Sequence, residues 1–493
     1  MKNKVQLITY VDRFGGGDLA QLRELLAGPL KDVFGGVHLL PFFHKIDGAD
    51  AGFDPIDHTR VDERLGEWRD VKALASELDV MADVIVNHMS SESPQFLDYS
   101  EKGSASPYDG LFLTMEAVFP EGATEKELLA VYRPRPGMPF TVTTLANGER
   151  RLLWTTFTPQ QIDIDVHHPA GKAYLDSILR SLSDSGVSMV RLDAVGYAIK
   201  KAGRNCFMMP ETFEFIGEFA SRARALGLEV LVEIHSYYKR QIEIARQVDW
   251  VYDFALPPLV LHALEFRRGG PLLRWLTQRP NNAVTVLDTH DGIGIIDIGA
   301  DAADRAGSPG LVPPEELDEL VERMHRNSRG QSRLATGAAA SNLDLYQVNC
   351  TFYDALGRDD AAYLIARALQ FFVPGIPQVY YVGLLAGEND MDLLASTKVG
   401  RDINRHHYSR EEVLADLGKP VVQRLIELIR LRNSHPAFDG QFSSEGSTDQ
   451  LLVLSWVADE HRIGLKVDLH SRQASIEHTA CAASAARVWS LTC

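Results

Sequence analysis

Cysteine is scarce in this sequence and is not arranged for a metal site or a disulfide framework. The 493 residues contain four cysteines, and no two of them form a Cys-x-x-Cys pair. Paired spacings are typical of zinc and redox sites, whereas scattered cysteines are typical of reducing compartments. We therefore expect free thiols and a cytoplasmic protein. The cysteines are Cys206, Cys350, Cys481 and Cys493.

Long apolar runs and an excess of basic charge are also missing. No apolar stretch reaches the ~18–20 residues that a membrane span requires, and residues 1–5 lead into a predicted strand without an apolar leader. The formal net charge is -17, with 50 Lys and Arg against 67 Asp and Glu. Nucleic acids and anionic membranes are bound by basic patches. We expect neither as a partner and expect small-molecule substrates instead.

Short apolar, β-rich segments recur along the chain, and most are followed by a stretch with helical periodicity. Most are continuous rather than alternating, as is typical of strands buried on both faces. With 45% hydrophobic residues, the chain has ample material for a core. Eight strand-then-helix units predict an α/β fold, a (β/α)₈ barrel. The predicted strands are residues 5–11, 36–43, 80–86, 188–193, 228–234, 250–256, 283–287 and 376–382.

Two intervals between predicted strands are too long for simple crossovers. Residues 89–167 follow the third strand, and residues 293–355 follow the seventh. Loops of this length are usually functional or form subdomains. We expect two inserted subdomains at the carboxyl ends of strands, where barrel enzymes build their sites. The barrel itself would comprise residues 1–88, 168–292 and 356–437.

The pattern changes after the last predicted barrel helix. Residues 451–456 and 463–467 form short β-rich segments, which predict a small all-β domain over residues 438–493. The stretch 470–493 is rich in Ala and Ser, and its pattern is too weak for an assignment.

Acidic and histidine residues gather where four predicted strands end. Because the carboxyl ends of barrel strands share one rim, we expect these clusters to line one pocket. Two carboxylates with separate roles suit glycoside cleavage, and in a retaining enzyme they lie ~5–5.5 Å apart. The clusters are DVIVNH (83–88), RLD (191–193), VEIH (232–235) and LDTHDG (287–292).

The carboxylates can be given separate roles. Arg191 and Asp193 point to the same face of a strand, so the cation is expected to keep Asp193 ionised as a nucleophile. A structural salt bridge is the alternative for this pair alone. Glu233 follows an apolar run, a setting that raises a carboxyl pKa toward the range of a general acid. Asp291 is left to stabilise the transition state, while His88 and His290 would hold sugar hydroxyls.

These clusters, in this order, resemble the signature regions of the α-amylase clan of glycoside hydrolases and transglycosidases. The segments GFDPIDH (52–58) and GIPQVYY (375–381) fit the same clan. Within it, the sequence is most similar to the sucrose phosphorylase family over nearly the whole chain, although it departs from that family after about Arg462. The segments are KNKVQLITY (2–10), DGADAGFDPIDHTRVDERL (47–65), YRPRPG (132–137), 157–163, 282–294, SNLDLYQVN (341–349) and GRDINR (400–405).

The resemblance implies a retaining phosphorolysis of sucrose through a β-glucosyl-enzyme, which gives α-D-glucose 1-phosphate and D-fructose. In the clan, the residues matching Asp193, Glu233 and Asp291 are nucleophile, acid/base and transition-state stabiliser, as inferred above from chemistry. The resemblance further implies a blind pocket for one glucosyl unit, closed by Asp50 and Arg401. Without it, a weak surface ion pair would be the better interpretation. Further residues expected to line the sugar site are Phe53, Phe157, Gln161, Arg191, Leu192, Tyr197 and His235.

The acceptor side must accommodate phosphate beside three carboxylates, and cations are needed to offset the repulsion. Arg133 and Arg135, in a Pro-stiffened loop of the first insertion, could supply that charge. A solvated pair of loop charges is the alternative. Tyr346 could add a hydroxyl donor. In the family this loop, with Tyr132, and a second loop line the acceptor side; the second loop is Asp344, Leu345, Tyr346 and Gln347.

The resemblance implies neither a cofactor nor a metal, although many amylases hold calcium near the residue matching Asn87. Three rival functions stay open: a related phosphorylase acting on sucrose 6-phosphate, glucosylglycerol or glucosylglycerate; a sucrose hydrolase or transglucosidase; and a non-catalytic barrel. Intact Asp193, Glu233 and Asp291 argue against the last. We also consider a homodimer.

Overall fold

Eight parallel strands close into a barrel, which confirms the predicted architecture. The structure is a computed structural model that describes residues 1–47, 50–133, 137–301, 308–339, 347–479 and 487–490. Around the barrel the strands follow the order β1-β8-β7-β6-β5-β4-β3-β2. Their bounds are β1 Gln6–Thr9, β2 Gly36–Leu39, β3 Asp79–Ile85, β4 Met189–Asp193, β5 Glu229–Val232, β6 Trp250–Asp253, β7 Ala283–Thr285 and β8 Ile376–Tyr380.

The barrel strands are buried on both faces, which explains their continuous apolar runs. The few polar side chains among them satisfy one another. Nε2 of Gln378 donates to Gln6 at 2.9 Å, and the Tyr252 hydroxyl donates to Gln378 at 3.1 Å. Such pairing offsets the cost of removing amides and hydroxyls from water.

Helices surround the barrel and begin where the sequence offers caps. Asp18 and Asp359 accept hydrogen bonds from the first turns of their helices, and Pro169, Pro210 and Pro420 stand at first positions. The helices are Leu19–Ala27, Trp68–Ala75, Pro169–Asp184, Pro210–Ala225, Tyr238–Ala245, Leu256–Phe266, Gly270–Leu276, Asp360–Phe372, Tyr381–Leu384, Met391–Thr397, Arg410–Asp416 and Pro420–Ser434. Short 3-10 turns are Val195–Tyr197, Gly400–Asn404 and Pro436–Asp439.

The segment between β3 and β4 folds over the rim of the barrel. Strand Gln161–Asp163 pairs antiparallel with His88–Ser90, directly after β3. A separate apolar cluster of Phe119, Val131 and Trp154 also includes Cys206, which follows β4. The remaining elements are helices Pro94–Lys102, Met115–Val118 and Glu125–Ala130, the 3-10 turn Gly103–Ala105 and the hairpin Phe140–Thr144 with Arg150–Trp154.

The segment between β7 and β8 is mainly helical and is anchored by a two-residue ladder. Strand Ile293–Gly294 pairs antiparallel with Gln347–Val348. Near the barrel, Phe14–Gly15 pairs with Tyr408–Ser409, and Phe43–His44 with Asp57–Val61. The helices of this segment are Pro314–Asn327, Gln331–Ala339 and Phe352–Ala355, with the 3-10 turn Ile296–Ile298.

The C-terminal region is an antiparallel sheet of five strands, which confirms the predicted all-β domain, and two of the strands lie in the stretch that the sequence left unassigned. After β9 Gln441–Ser443, β10 Leu451–Ala458 and β11 His461–Asp468, the chain adds β12 Gln473–Thr479 and β13 Arg487–Ser490. The pattern of β12 is weak because only Ala474 and Ile476 are buried. The strand is therefore defined by its antiparallel pairing with β11 and not by a pattern of apolar residues.

Two further predictions concern the cysteines and the membrane. Cys206 and Cys350 are buried free thiols, as expected, while Cys481 and Cys493 lie outside the described residues. Among the helices that the structure describes, none is both long and apolar enough to cross a membrane.

Candidate active site

One guanidinium organises a carboxylate inside β3 and the carboxylates at the ends of β4 and β5. Nη1 of Arg191 contacts Asp83 and lies 3.2 Å from Asp193, and Nη2 lies 3.0 Å from Glu233. The Arg191 side chain is 2% exposed. The structure thus brings together the two carboxylates that the sequence pairs chemically. Three partners share one cation.

This sharing changes the expected state of Asp193. Burial raises the pKa of Asp193 well above its usual range, and Arg191 opposes this while Glu233 and Asp83 reinforce it. The Arg-x-Asp spacing predicts that Arg191 keeps Asp193 ionised, so this raised pKa is opposite in direction to the prediction. Arg191 divides its charge among three carboxylates, and it helps to lower the pKa of Asp83 to about 2 despite burial. Arg191 alone therefore does not offset the burial of Asp193 beside two other carboxylates.

Asp291 has its own cations. Nη1 of Arg401 lies 2.9 Å from its carboxylate, and Nη2 of Arg405 lies 3.9 Å away. Burial acts to raise the pKa of Asp291, but Arg401, Arg405 and the two neighbouring histidines together outweigh it and hold the pKa far below the usual range. Arg401 lies 3.9 Å from Asp50, so the predicted pair is in contact but Asp291 is the nearer partner.

Neutral rings line the pocket beside these charges. Phe53 stacks on His290 at a centroid distance of 4.8 Å, and burial lowers the pKa of His290 to about 3. Nε2 of His88 lies 2.9 Å from the Phe53 carbonyl oxygen and 3.1 Å from the Gln161 amide. Burial also lowers the pKa of His88. Uncharged imidazoles of this kind can both donate to and accept from sugar hydroxyls.

An aromatic wall joins the first insertion to the end of β4. The Phe157 ring lies 5.5 Å from His88 and 5.2 Å from Tyr197. Tyr132 stacks on Phe207 at 4.6 Å and faces Tyr197 at 6.1 Å. The loop that carries Tyr132 is thereby held beside the predicted nucleophile.

Leu192 lies away from the pocket, and four other predicted site residues lie outside the described chain. Leu192 is fully buried and, by strand alternation, points away from Arg191 and Asp193 toward the surrounding core. Nη1 of Arg133 donates to the Gly137 carbonyl at 3.1 Å within its own loop. Gln347 is buried in the ladder with Gly294. Arg135, Asp344, Leu345 and Tyr346 lie outside the described residues.

Some site residues escaped the sequence interpretation. Asp83 belongs to the first predicted cluster but has no predicted role there, although an acid inside a buried apolar strand needs a partner. Arg405 is buried and donates to the His290 carbonyl at 2.9 Å, but nothing in the sequence distinguishes it from Arg401. Asp297 lies 2.8 Å from His235, and only the folded second insertion brings them together.

Two groups of side chains in this region carry atoms of the kind that bind cations, and cationic side chains of the protein already contact both groups. Glu233, His235 and Asp291 offer ligand-type atoms that all lie within 4.8 Å of one another. Arg191 and Arg401 already neutralise two of them, so we interpret this group as proton-transfer and sugar-binding chemistry. Beside Asn87, the Lys200 ammonium lies 2.8 Å from the amide oxygen and 2.7 Å from Asp163.

Comparison with known proteins agrees with this geometry. A sequence model of the alpha-amylase catalytic domain matches residues 15–246. A sucrose phosphorylase of Agrobacterium vitis is 59% identical over 98% of both chains. One from Bifidobacterium adolescentis is 55% identical over 97% of this chain and 96% of its own. The crystal structure of sucrose 6F-phosphate phosphorylase from Thermoanaerobacter thermosaccharolyticum superposes with a TM-score of 0.91, at 38% identity, over 99% of this chain and 98% of its own.

Proposed function

Since this chain belongs to the sucrose phosphorylase family, we propose that it catalyses the reversible phosphorolysis of sucrose to α-D-glucose 1-phosphate and D-fructose. It acts as a hexosyltransferase on small sugar and phosphate substrates. The observation that supports this best is the sharing of Arg191 by Asp193 and Glu233. A nucleophile and an acid/base that share one cation lie close enough to act on the same glycosidic bond, one at C1 and the other at the leaving oxygen.

The first half of the reaction forms the glycosyl-enzyme. A carboxylate oxygen of Asp193 attacks C1 of the glucosyl unit as the bond from C1 to the fructosyl oxygen breaks. Glu233 gives its proton to that oxygen, and fructose leaves. In the second half, a phosphate oxygen attacks C1, the Asp193 ester breaks, and Glu233 takes up the proton that phosphate loses. Two inversions retain the α configuration.

Asp291 stabilises the positive charge that develops on the glucosyl ring between these states. Because Arg401 and its other cationic neighbours hold it as a carboxylate against the effect of burial, its charge needs no rearrangement during the reaction. His88 and His290 hold the ring hydroxyls, and Phe53 forms an apolar face against the sugar. Phe157, Gln161, Tyr197 and His235 complete the surroundings.

Asp50 and Arg401 close the far end of the glucosyl site. A closed end admits one sugar unit and excludes a polymer. The 3.9 Å contact between the two side chains supports this closure. We leave Leu192 out of this site because it is packed in the core.

The two insertions form the acceptor side in this proposal. Tyr132, Arg133 and Arg135 come from residues 89–167, and Asp344, Leu345, Tyr346 and Gln347 come from residues 293–355. Barrel segments 1–88, 168–292 and 356–437 carry the carboxylates, and residues 438–493 form the β domain. Support comes from the position of Tyr132 against Tyr197, at 6.1 Å between ring centroids.

We further propose a cytoplasmic location and a homodimer. The four scattered cysteines favour a reducing compartment. Light scattering coupled to size-exclusion chromatography tests the dimer.

One assay tests the reaction. The protein is incubated with sucrose, with and without inorganic phosphate, and glucose 1-phosphate and free glucose are both measured. We expect glucose 1-phosphate only when phosphate is present. Free glucose alone in both samples would instead indicate a sucrose hydrolase.

A related phosphorylase is the second candidate, since the structural relative at 38% identity acts on sucrose 6F-phosphate according to its name. The same assay is run with sucrose 6-phosphate, glucosylglycerol and glucosylglycerate. If any of these compounds is turned over faster than sucrose, that compound and not sucrose is the preferred substrate.

A further inference from the structure

A buried histidine of β2 contacts the carboxylate that competes with the proposed nucleophile for Arg191. Nε2 of His38 lies 3.0 Å from Oδ2 of Asp83, while Nη1 of Arg191 contacts Oδ1 of the same carboxylate. The His38 side chain is 1% exposed and that of Asp83 is fully buried. Because a carboxylate oxygen accepts hydrogen bonds, Nε2 of His38 carries a hydrogen toward Asp83. Asp83 therefore has one oxygen on the histidine and the other on the guanidinium.

Strand register brings these three side chains together. Arg191 of β4 is opposite Asp83 of β3, and His38 of β2 is opposite Met81 of β3. Met81 and Asp83 are two residues apart, so they point to the same face of the sheet. Neighbouring residues in a parallel sheet share a face, and the three polar side chains therefore meet on one side of β3.

The ring of His38 is a neutral donor rather than a second cation. Burial lowers the pKa of His38 although Asp83 acts to raise it, so the imidazole is uncharged near pH 7. Of the more distant charges, Arg191 acts to lower this pKa and Glu233 to raise it. From β6, the Tyr252 hydroxyl lies 3.4 Å from Nδ1 of His38. What His38 supplies to Asp83 is thus one N–H.

We propose that His38 is a positioning residue for the nucleophile: by occupying one oxygen of Asp83, it leaves the Arg191 guanidinium extended toward Asp193 and Glu233. Arg191 lies 3.2 Å from Asp193 and 3.0 Å from Glu233. Without the His38 donor, the second oxygen of Asp83 turns toward Arg191, and the guanidinium is drawn away from Asp193. The inference rests on the proposed function, because it concerns the ionisation of the nucleophile in that reaction.

The charges determine the direction of the effect. Burial acts to raise the pKa of Asp83, but Arg191, His38 and His290 outweigh it and lower the pKa to about 2. Arg191 is the strongest of these, so Asp83 stays ionised in a variant that lacks His38. Burial also raises the pKa of Asp193, and Arg191 is the cation that opposes this. A weaker contact with Arg191 therefore moves the ionisation of Asp193 to higher pH.

The test is the acid limb of the pH profile of kcat/KM for sucrose, measured by fructose release. This ratio covers only formation of the glucosyl-enzyme, so the ionisation of phosphate does not affect it. In His38→Leu, which removes the donor, we expect the acid limb to move to higher pH by about one unit, the lower end of the range for a neighbouring opposite charge. His38→Gln should restore the wild-type limb, because its amide N–H can replace that of Nε2.

His58→Gln is the matched control. Nε2 of His58 lies 3.2 Å from the backbone carbonyl oxygen of Asp83, so this buried histidine contacts the same residue but not its carboxylate. Its replacement should leave the acid limb at the wild-type pH, whatever the rate. Thermal melts show whether each variant is folded. If His38→Leu is not, His38→Asn carries the test, since its amide is too short to reach the carboxylate.

Three results would overturn the inference. They are an acid limb that is unchanged or moves to lower pH in the variant without the donor, an equal shift in His58→Gln, and a His38→Gln profile without recovery. Because fructose is measured, the test holds whether phosphate or water accepts the glucosyl unit. Fructose release without glucose 1-phosphate in the wild type would overturn the proposed function alone. Absence of fructose release in the wild type would overturn both.

Discussion

The Lys200 ammonium lies 2.7 Å from the Asp163 carboxylate, and this buried ion pair joins the end of β4 to the first insertion. Lys200 also donates to the Asn87 amide oxygen at 2.8 Å, while Asp163 accepts from the Thr156 backbone N–H at 3.0 Å. Both side chains are almost fully buried. The pair therefore occupies the region near Asn87 where many amylases hold calcium.

Removal of the Lys200 charge should loosen the first insertion. In Lys200→Met, Asp163 stays buried without its cation, which costs about 3–5 kcal/mol in comparable buried pairs. We expect a lower free energy of unfolding in urea and faster proteolysis within residues 89–167. Lys201→Met removes the same charge from an exposed neighbour and should leave both measurements unchanged. Equal behaviour of the two variants would show that the pair is not structural.

A chelator should not inhibit the enzyme. Lys200 already supplies positive charge between Asn87 and Asp163, so a calcium ion would be repelled there. Dialysis against EDTA, followed by the sucrose and phosphate assay, should give unchanged activity. Loss of activity in a folded sample, restored by added calcium, would contradict this prediction.

Asp193→Asn should abolish turnover and stabilise the fold. We expect kcat to fall by about 10⁴-fold or more, as for other nucleophile removals. Burial raises the pKa of Asp193 in the folded protein, so the wild type loses stability as pH rises above the unfolded value of about 3.9. Asn does not titrate there. The variant should melt at a higher temperature at pH 7, and the difference should disappear below pH ~4. A difference that is independent of pH would contradict the assignment.

Glu233→Gln should affect substrates according to their leaving groups. Fructose leaves only if its oxygen is protonated, whereas fluoride leaves without a general acid. We expect sucrose turnover to fall by about 10²–10⁴-fold, while formation of the glucosyl-enzyme from α-glucosyl fluoride is largely retained. The rate of fructose release measures the reaction with sucrose, and the rate of fluoride release measures the reaction with α-glucosyl fluoride. Parallel losses would assign Glu233 a role in binding instead.

Arg401→Gln should weaken every glucosyl donor alike. Arg401 contacts Asp291 at 2.9 Å and Asp50 at 3.9 Å, both on the glucosyl side of the reaction. We expect kcat/KM for sucrose and for glucose 1-phosphate to fall together by about 10- to 100-fold, as for a lost charged hydrogen bond. Arg410→Gln, which removes an exposed contact with Glu24, is the matched control. Loss for only one donor would place Arg401 on the acceptor side.

The barrel and its three carboxylates could be predicted because both depend on local sequence. Strand β4 is a continuous apolar run that ends in Asp193, and the same pattern precedes Glu233. Burial on two faces and the common rim of a barrel then place both acids in one pocket, without knowledge of any distant contact. The position of Asp291 follows in the same way from the end of β7.

The sharing of charge could not be predicted in this way. Arg191 was expected to serve Asp193 alone, but Asp83 and Glu233 arrive from neighbouring strands and take part of its charge. Arg401 is nearer to Asp291 than to its predicted partner Asp50. The strength of an ion pair depends on every charge within a few ångströms, and these neighbours are set by strand order and by docking of the insertions.

The sequence alone indicated which groups are proposed to react, since these acids stand at the ends of recognisable strands. Only the tertiary structure decided which contacts hold the surroundings of these acids in place. Asp297 contacts His235, and Lys200 contacts Asp163. Each of these contacts joins a barrel strand end to an insertion. Their side chains meet because whole segments pack together, and packing between distant segments leaves no periodic signal in the chain.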